Sequence, residues 1–132
     1  MKPWGYSYHL DCWNCQHTDD LEIVYRYLEK LVYLLDMNLT GSIYLVHGPV
    51  DFIYSKRIEK YPNNAGISGF APLIQSGVTI HTVNKTGFVT IDIYSCKEFL
   101  PQTVLDFTKE TFKYSQYQVQ FLERGNAKAA KC

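Results

Sequence analysis

At 132 residues, with 46% hydrophobic and 20% charged side chains, the chain is long enough for one domain with its own core and too apolar to be disordered. Thirteen basic residues balance thirteen acidic ones, so nothing in the charge suggests the basic face that nucleic-acid binding needs. No run of about 18 apolar residues is present, which excludes a membrane-spanning helix.

Residues 5–12 alternate Tyr6, Tyr8, Leu10 and Cys12 against Ser7, His9 and Asp11, the period-two pattern of a strand. Ahead of it the N-terminus lacks the apolar stretch of a secretory signal, so a cytoplasmic location with reduced thiols is expected. Cys12-Trp13-Asn14-Cys15 has the spacing of half a zinc site. No second such pair completes four ligands, so the segment reads as loop and no metal is expected. Thr18-Asp19-Asp20 supplies a helix N-cap with acidic first-turn residues. Leu21, Val24, Tyr25, Leu28, Leu31, Val32 and Leu35 then recur at helical spacing, predicting a helix to Asp36 with one core-facing stripe. Thr40-Gly41 is a turn, 42–47 a strand, and Gly48-Pro49 breaks it before a short strand over 50–54. Residues 56–60 form a solvated charge cluster and 61–66 a loop, followed by a strand over 67–75 whose Pro72 marks an edge or bulge.

Val78, Ile80 and Thr82 share one face of the next strand, with Thr79, His81 and Val83 on the other. Residues 88–95 alternate again, and Asn84-Lys85-Thr86-Gly87 between them is turn chemistry, so the two runs predict a β-hairpin. Pairing Val83 with Phe88 sets His81 opposite Thr90, Ser76 opposite Ser95 and Gln75 opposite Cys96. A hydroxyl and a thiol are thereby brought to one end of the hairpin. Taken singly, such a serine is a turn residue, such a cysteine a small buried apolar group, and such a histidine a satisfied core residue; only their combination points to chemistry. After Cys96, Leu100-Pro101 opens a second helix to about residue 114, with Val104, Leu105, Thr108 and Phe112 on one face. Tyr117, Val119 and Phe121 make a last strand, and 125–132 reads as a frayed tail. The element order predicts an α+β fold, a two-layer α/β sandwich with a mainly antiparallel sheet and two helices, in a single domain over residues 1–132.

Three segments now stand out: Gly66-Ile67-Ser68-Gly69, Gln75-Ser76-Gly77-Val78-Thr79-Ile80-His81-Thr82 and Asp92-Ile93-Tyr94-Ser95-Cys96. In residue types and spacing this set resembles the self-processing core of the prokaryotic S-adenosylmethionine decarboxylases, pyruvoyl enzymes of polyamine synthesis. A weaker likeness extends to Gly5 and His9 and to Glu123-Arg124-Gly125. The resemblance implies cleavage between Gln75 and Ser76, with Ser76 becoming the pyruvoyl cofactor. It implies that His81 moves the proton of the elimination, that Ser68 steadies the oxygen-rich intermediate and that Cys96 donates the proton after CO₂ leaves. Tyr61 is the nearest match to the family's base-stacking aromatic residue.

The departures lie on the substrate side. Gln75 stands where the family has glutamate, Gly77 where it has histidine, and Val83-Asn84-Lys85 where it has Trp-Pro-Glu. In the family that last glutamate is expected to hold the ribose hydroxyls; lysine offers only donors and reverses the charge. Three readings follow: a decarboxylase of S-adenosylmethionine, the same pyruvoyl chemistry on another amino acid such as ornithine or arginine, or an unprocessed, non-enzymatic paralogue. An extended strand holds Ser76 and His81 about 16 Å apart, far beyond a hydrogen bond of about 3 Å. Either the chain bends at Gly77 or a second copy supplies the histidine, and the expected assembly is a homodimer, with no nucleic-acid or membrane partner.

Overall fold

A computed structural model describes residues 2–48 and 65–126. The elements are β1 (Gly5–Trp13), α1 (Leu21–Leu34), β2 (Tyr44–Gly48), β3 (Gly66–Leu73), β4 (Ser76–Val83), β5 (Phe88–Ser95), α2 (Pro101–Phe112) and β6 (Gln116–Arg124). The strands form one sheet in the order β2-β3-β4-β5-β1-β6, with every neighbouring pair antiparallel. The expected α+β sandwich is what the chain builds. The expected strand over 50–54, the charge cluster at 56–60 and Tyr61 lie outside the described residues.

Period-two alternation decides which face the helices cover. Tyr8, Leu10 and Cys12 of β1, Val78 and Ile80 of β4, and Val89, Ile91 and Ile93 of β5 are almost fully buried. They share one cluster with Val24, Tyr27, Leu28 and Leu31 of α1 and Val104, Phe107 and Phe112 of α2. Each such apolar side chain contributes about 1.5–3 kcal/mol on leaving water. Asp20 caps α1, its carboxylate accepting from the Ile23 N–H at 3.1 Å. Within α1 the stripe differs from expectation: Leu21 and Tyr25 are exposed, while Tyr27 is buried. Tyr27 stacks on Phe107 and bonds Thr108 Oγ1 at 2.7 Å, so its hydroxyl carries a partner into the core. On α2 likewise Phe107, rather than Leu105, lies in the fully packed set, and the helix ends at Phe112 instead of residue 114.

The predicted β4–β5 hairpin forms in the expected register, Val83 opposite Phe88 and His81 opposite Thr90. The expected single strand over 67–75 does not. It ends at Leu73, a two-residue turn at Ile74 and Gln75 follows, and Leu73 pairs with Ser76. Pro72 therefore sits in an interior strand, just past the last β2 pair at Tyr44 and Phe70, where its missing N–H breaks no ladder bond to β2. Cys12 lies in β1 and in the core, as the alternation over 5–12 predicts, and Trp13, expected in the loop, is the last residue of the strand. The Gly66 backbone passes so close to β4 that an added Cβ would meet the Thr82 carbonyl oxygen at 1.7 Å, which accounts for glycine there. Strand β6 is an edge strand exposed along its whole length.

Candidate active site

The two hairpins sharing β4 carry the predicted residues to two separate places. On the face away from the helices, Ser68 of β3 lies opposite His81 of β4, and Ser68 Oγ and His81 Nδ1 share a hydrogen bond of 2.9 Å. Both side chains are exposed. The same face carries two further polar pairs, His9 Nδ1 with Asp92 Oδ1 at 2.6 Å and the Thr90 hydroxyl donating to Asp11 Oδ1 at 2.7 Å. Tyr44, Phe70 and Tyr94 project there as exposed aromatics, since β-register puts them on this side and no helix covers them. Lys85 belongs to this end of β4, in the turn four residues beyond His81, and it is exposed.

Ser76 stands at the other end of β4. Its register partner is the core-facing Leu73, so its side chain leaves the sheet on the side opposite to His81. The Cys96 N–H donates to Ser76 Oγ at 3.0 Å, and the Cys96 thiol donates to the Ile74 carbonyl at 3.8 Å. The β4–β5 register thus brings the hydroxyl and the thiol together as the hairpin pairing predicts. A cleft of about 180 Å³ opens beside them, lined by Asp36, Ile74, Ser76, Cys96 and Lys97. A second groove, about 280 Å³, continues past Cys96 and Lys97 to Tyr6 and Glu98. Lys97 Nζ lies 3.5 Å from Asp36 Oδ2 and also donates to the Asp36 carbonyl. Neither residue carries a motif; only the fold, by ending α1 over the Cys96 corner, places them in the site.

Gln75, whose carbonyl precedes Ser76, has φ 54°. That left-handed conformation costs a residue with a side chain on the order of 1 kcal/mol. The corner is open to approach, with Ile74 56% exposed. Ser76 and His81 do not meet within the chain. The β3–β4 ladder runs unbroken from the Ser68–His81 pair to the Leu73–Ser76 pair, so β4 does not fold back at Gly77 and the separation stays near the 16 Å of an extended strand, about 3.3 Å per residue. Among the described residues no three histidine, cysteine or carboxylate side chains converge on a common metal position, and no helix is long and apolar enough to cross a membrane.

The weaker terminal likeness also acquires a structural meaning, because Gly5 of β1 pairs with Arg124 of β6. With the geometry in place, the chain compares with known proteins as follows. The S-adenosylmethionine decarboxylase proenzyme of Thermomicrobium roseum is 25% identical over 126 residues, spanning 95% of this chain and 97% of that one. The proenzyme of Clostridium botulinum strain Hall is 26% identical over 128 residues, again 95% and 97%. That of Pyrococcus furiosus is 33% identical over 61 residues, 46% of this chain and 44% of the relative. The crystal structure of the adenosylmethionine decarboxylase from Aquifex aeolicus shares the fold, with a TM-score of 0.76 over 100% of this chain and 99% of that one, at 19% identity. The model of the S-adenosylmethionine decarboxylase family matches residues 6–125, from the first strand to the end of the last. The chain belongs to the S-adenosylmethionine decarboxylase family.

Proposed function

We propose that this protein is a proenzyme that cleaves itself between Gln75 and Ser76 and then decarboxylates S-adenosylmethionine. The observation that carries this reading is the corner itself: a serine at the start of β4, preceded by a residue at φ 54° and flanked by a cysteine whose N–H reaches the serine oxygen. In the cleavage the Ser76 hydroxyl attacks the Gln75 carbonyl carbon, the peptide C–N bond breaks and an ester forms. Loss of the Ser76 Cα proton then expels the Gln75 carboxylate and leaves dehydroalanine, which takes up water and releases ammonia to become the pyruvoyl group; His81, steered by Ser68, is the group suited to move the Cα proton.

The corner fits a pyruvoyl group at position 76, with the Cys96 N–H as the donor facing it and the cleft beside Asp36 and Lys97 leaving room for substrate. When present, that ketone supplies an electron sink for the carbanion left as CO₂ departs. The Cys96 thiol, beside the same corner, is positioned to return a proton to that carbon. S-adenosylmethionine rather than ornithine or arginine is favoured because the relatives spanning nearly the whole chain bear the name of its decarboxylase.

The distance along β4 supports a homodimer with shared sites, in which Ser68 and His81 of one copy serve the Gln75–Ser76 corner of the other. The exposed aromatics Tyr44, Phe70 and Tyr94, on the same sheet face as His81 toward the Gly77 end of β4, supply apolar surface for that contact, and two-fold symmetry then completes two sites at once. Intact-mass measurement tests the processing: the products are residues 1–75 and 76–132, the second blocked at its N-terminus, and Ser76→Ala stays whole. A wild-type protein that remains one uncut chain after prolonged incubation would falsify the reading.

A further inference from the structure

The pair Cys12 and Cys15 lies apart from the corner just described, and its geometry is that of a built dithiol. Cys12 is fully buried on the core face of β1, and Cys15 packs half-buried against the same core. Both side chains pack against one core cluster from the two ends of a single turn. Between them the chain turns at Asn14, held at φ 59° with its amide donating to Ser115 Oγ at 2.6 Å. Three backbone bonds hold the turn in place: Cys15 N–H to Gly87 O at 2.8 Å, Gln16 N–H to Phe112 O at 2.7 Å and Ser115 N–H to Trp13 O at 3.1 Å. The two cysteines are thus held on one side of a turn whose backbone is tied to the β4–β5 turn and to the end of α2.

We propose that Cys12 and Cys15 form a thiol–disulfide exchange site that accepts a low-molecular-weight disulfide and closes reversibly to an intramolecular bond. The two thiols have distinct parts. The Cys12 thiol donates to the Cys15 sulfur and the Lys109 ammonium lies near it, and both hold the Cys15 thiol below its ordinary range. Cys12 is pushed upward by the same hydrogen bond and by burial. Cys15 is also the accessible one, so it attacks and Cys12 resolves. In the first step the Cys15 thiolate bonds to one sulfur of the external disulfide, whose S–S bond breaks to release one thiolate. In the second, Cys12 gives up its proton and attacks the Cys15 sulfur, releasing the second thiolate. The protein loses two electrons and two protons, and the external disulfide becomes two thiols. Gly87, at φ 65°, packs beside Cys15, where an added Cβ would come within 3.0 Å of the Cys15 backbone.

The test uses the full chain, reduced, freed of reductant and exposed to excess glutathione disulfide, then alkylated and digested with trypsin. Peptide 1–26 contains Cys12 and Cys15 and no other cysteine. It is expected to escape alkylation and to weigh about 2 Da less than its reduced form, with dithiothreitol restoring both thiols. Cys12→Ala is expected to trap the mixed disulfide on Cys15, a gain of about 305 Da, while Cys15→Ala leaves the buried Cys12 unmodified. Exposed Cys96 reports in the same digest that the oxidant was active. If peptide 1–26 stays fully alkylated while Cys96 carries glutathione, or if Cys15→Ala takes the adduct on Cys12 as fast as Cys12→Ala takes it on Cys15, the proposal is overturned. The readout is a mass, so it stands whether or not the chain cleaves itself or decarboxylates anything.

Discussion

Mixing two inactive variants discriminates a shared site from a self-contained one. In the proposed mechanism Ser76→Ala has no hydroxyl to attack the peptide, and His81→Ala lacks the group that moves the proton, a loss worth about 10²–10⁴ in rate for a general acid–base residue. Within one chain the two positions are about 16 Å apart along an extended strand and leave the sheet on opposite sides. A site shared across a two-fold axis instead pairs the intact Ser76 of the His81→Ala chain with the intact His81 of the Ser76→Ala chain. Free exchange of an equal mixture makes about half the dimers mixed, each with one complete site. About half of the His81→Ala chains should therefore be cut before further exchange raises the yield, and no Ser76→Ala chain should be cut. The structure adds a sharper control. Ser68 and His81 are bonded to each other within one chain at 2.9 Å, so they enter a shared site together. An equal mixture of Ser68→Ala and His81→Ala leaves both sites of every mixed dimer defective, and no rescue is expected. Gel separation of cut and uncut chains with a mass-tagged variant gives all three numbers. No rescue in the first mixture despite proven exchange, or rescue in both mixtures, refutes the shared-site geometry.

Cys96→Ala keeps the backbone N–H that reaches Ser76 Oγ, so cleavage is expected to proceed while turnover falls by about 10²-fold or more or is diverted to a transamination product; an unchanged rate and product ratio removes the proton-donor role. Lys85→Glu restores a hydroxyl acceptor in place of a donor-only cation and is expected to lower KM for S-adenosylmethionine; a wild type that already turns this substrate over efficiently, with Lys85→Glu raising KM, contradicts the reading of that position. At alkaline pH, burial holds the Tyr27 hydroxyl well above the usual phenol range, with the Thr108 hydrogen bond opposing it only in part. A raised phenol contributes stability that is fully present below the unfolded value near pH 10 and is lost as pH climbs towards the folded value, by up to about 1.4 kcal/mol per pH unit. Denaturant midpoints measured from pH 8 to 11 should fall more steeply for wild type than for Tyr27→Phe, and parallel slopes would show that Tyr27 does not set the alkaline limit.

How much of this was legible in the sequence depends on which turns advertise themselves. Asn84 to Gly87 is recognisable turn chemistry, and with alternation on both sides it determines the β4–β5 register and hence the meeting of Ser76 with Cys96. The β3–β4 turn is made by Ile74 and Gln75, neither of which favours positive φ, so the chain reads as one strand to residue 75. That hidden corner is the one that sets Ser68 against His81. Tyr27 flanks the stripe, three residues after Val24 and four before Leu31, and the burial of its ring there is completed by the Thr108 partner that its hydroxyl finds, while Asp36 and Lys97 enter the cleft through the packing of α1 over the sheet. The two hairpins together explain why the site has the form it does. One sets Ser76 and Cys96 at the start of β4, the other sets the Ser68–His81 pair near its end. The regular strand that makes both pairings possible is also the spacer that keeps them apart. A single copy holds Ser76 with Cys96 at one end of β4 and Ser68 with His81 at the other, and in the proposed dimer a second β4 running the opposite way brings the two halves together.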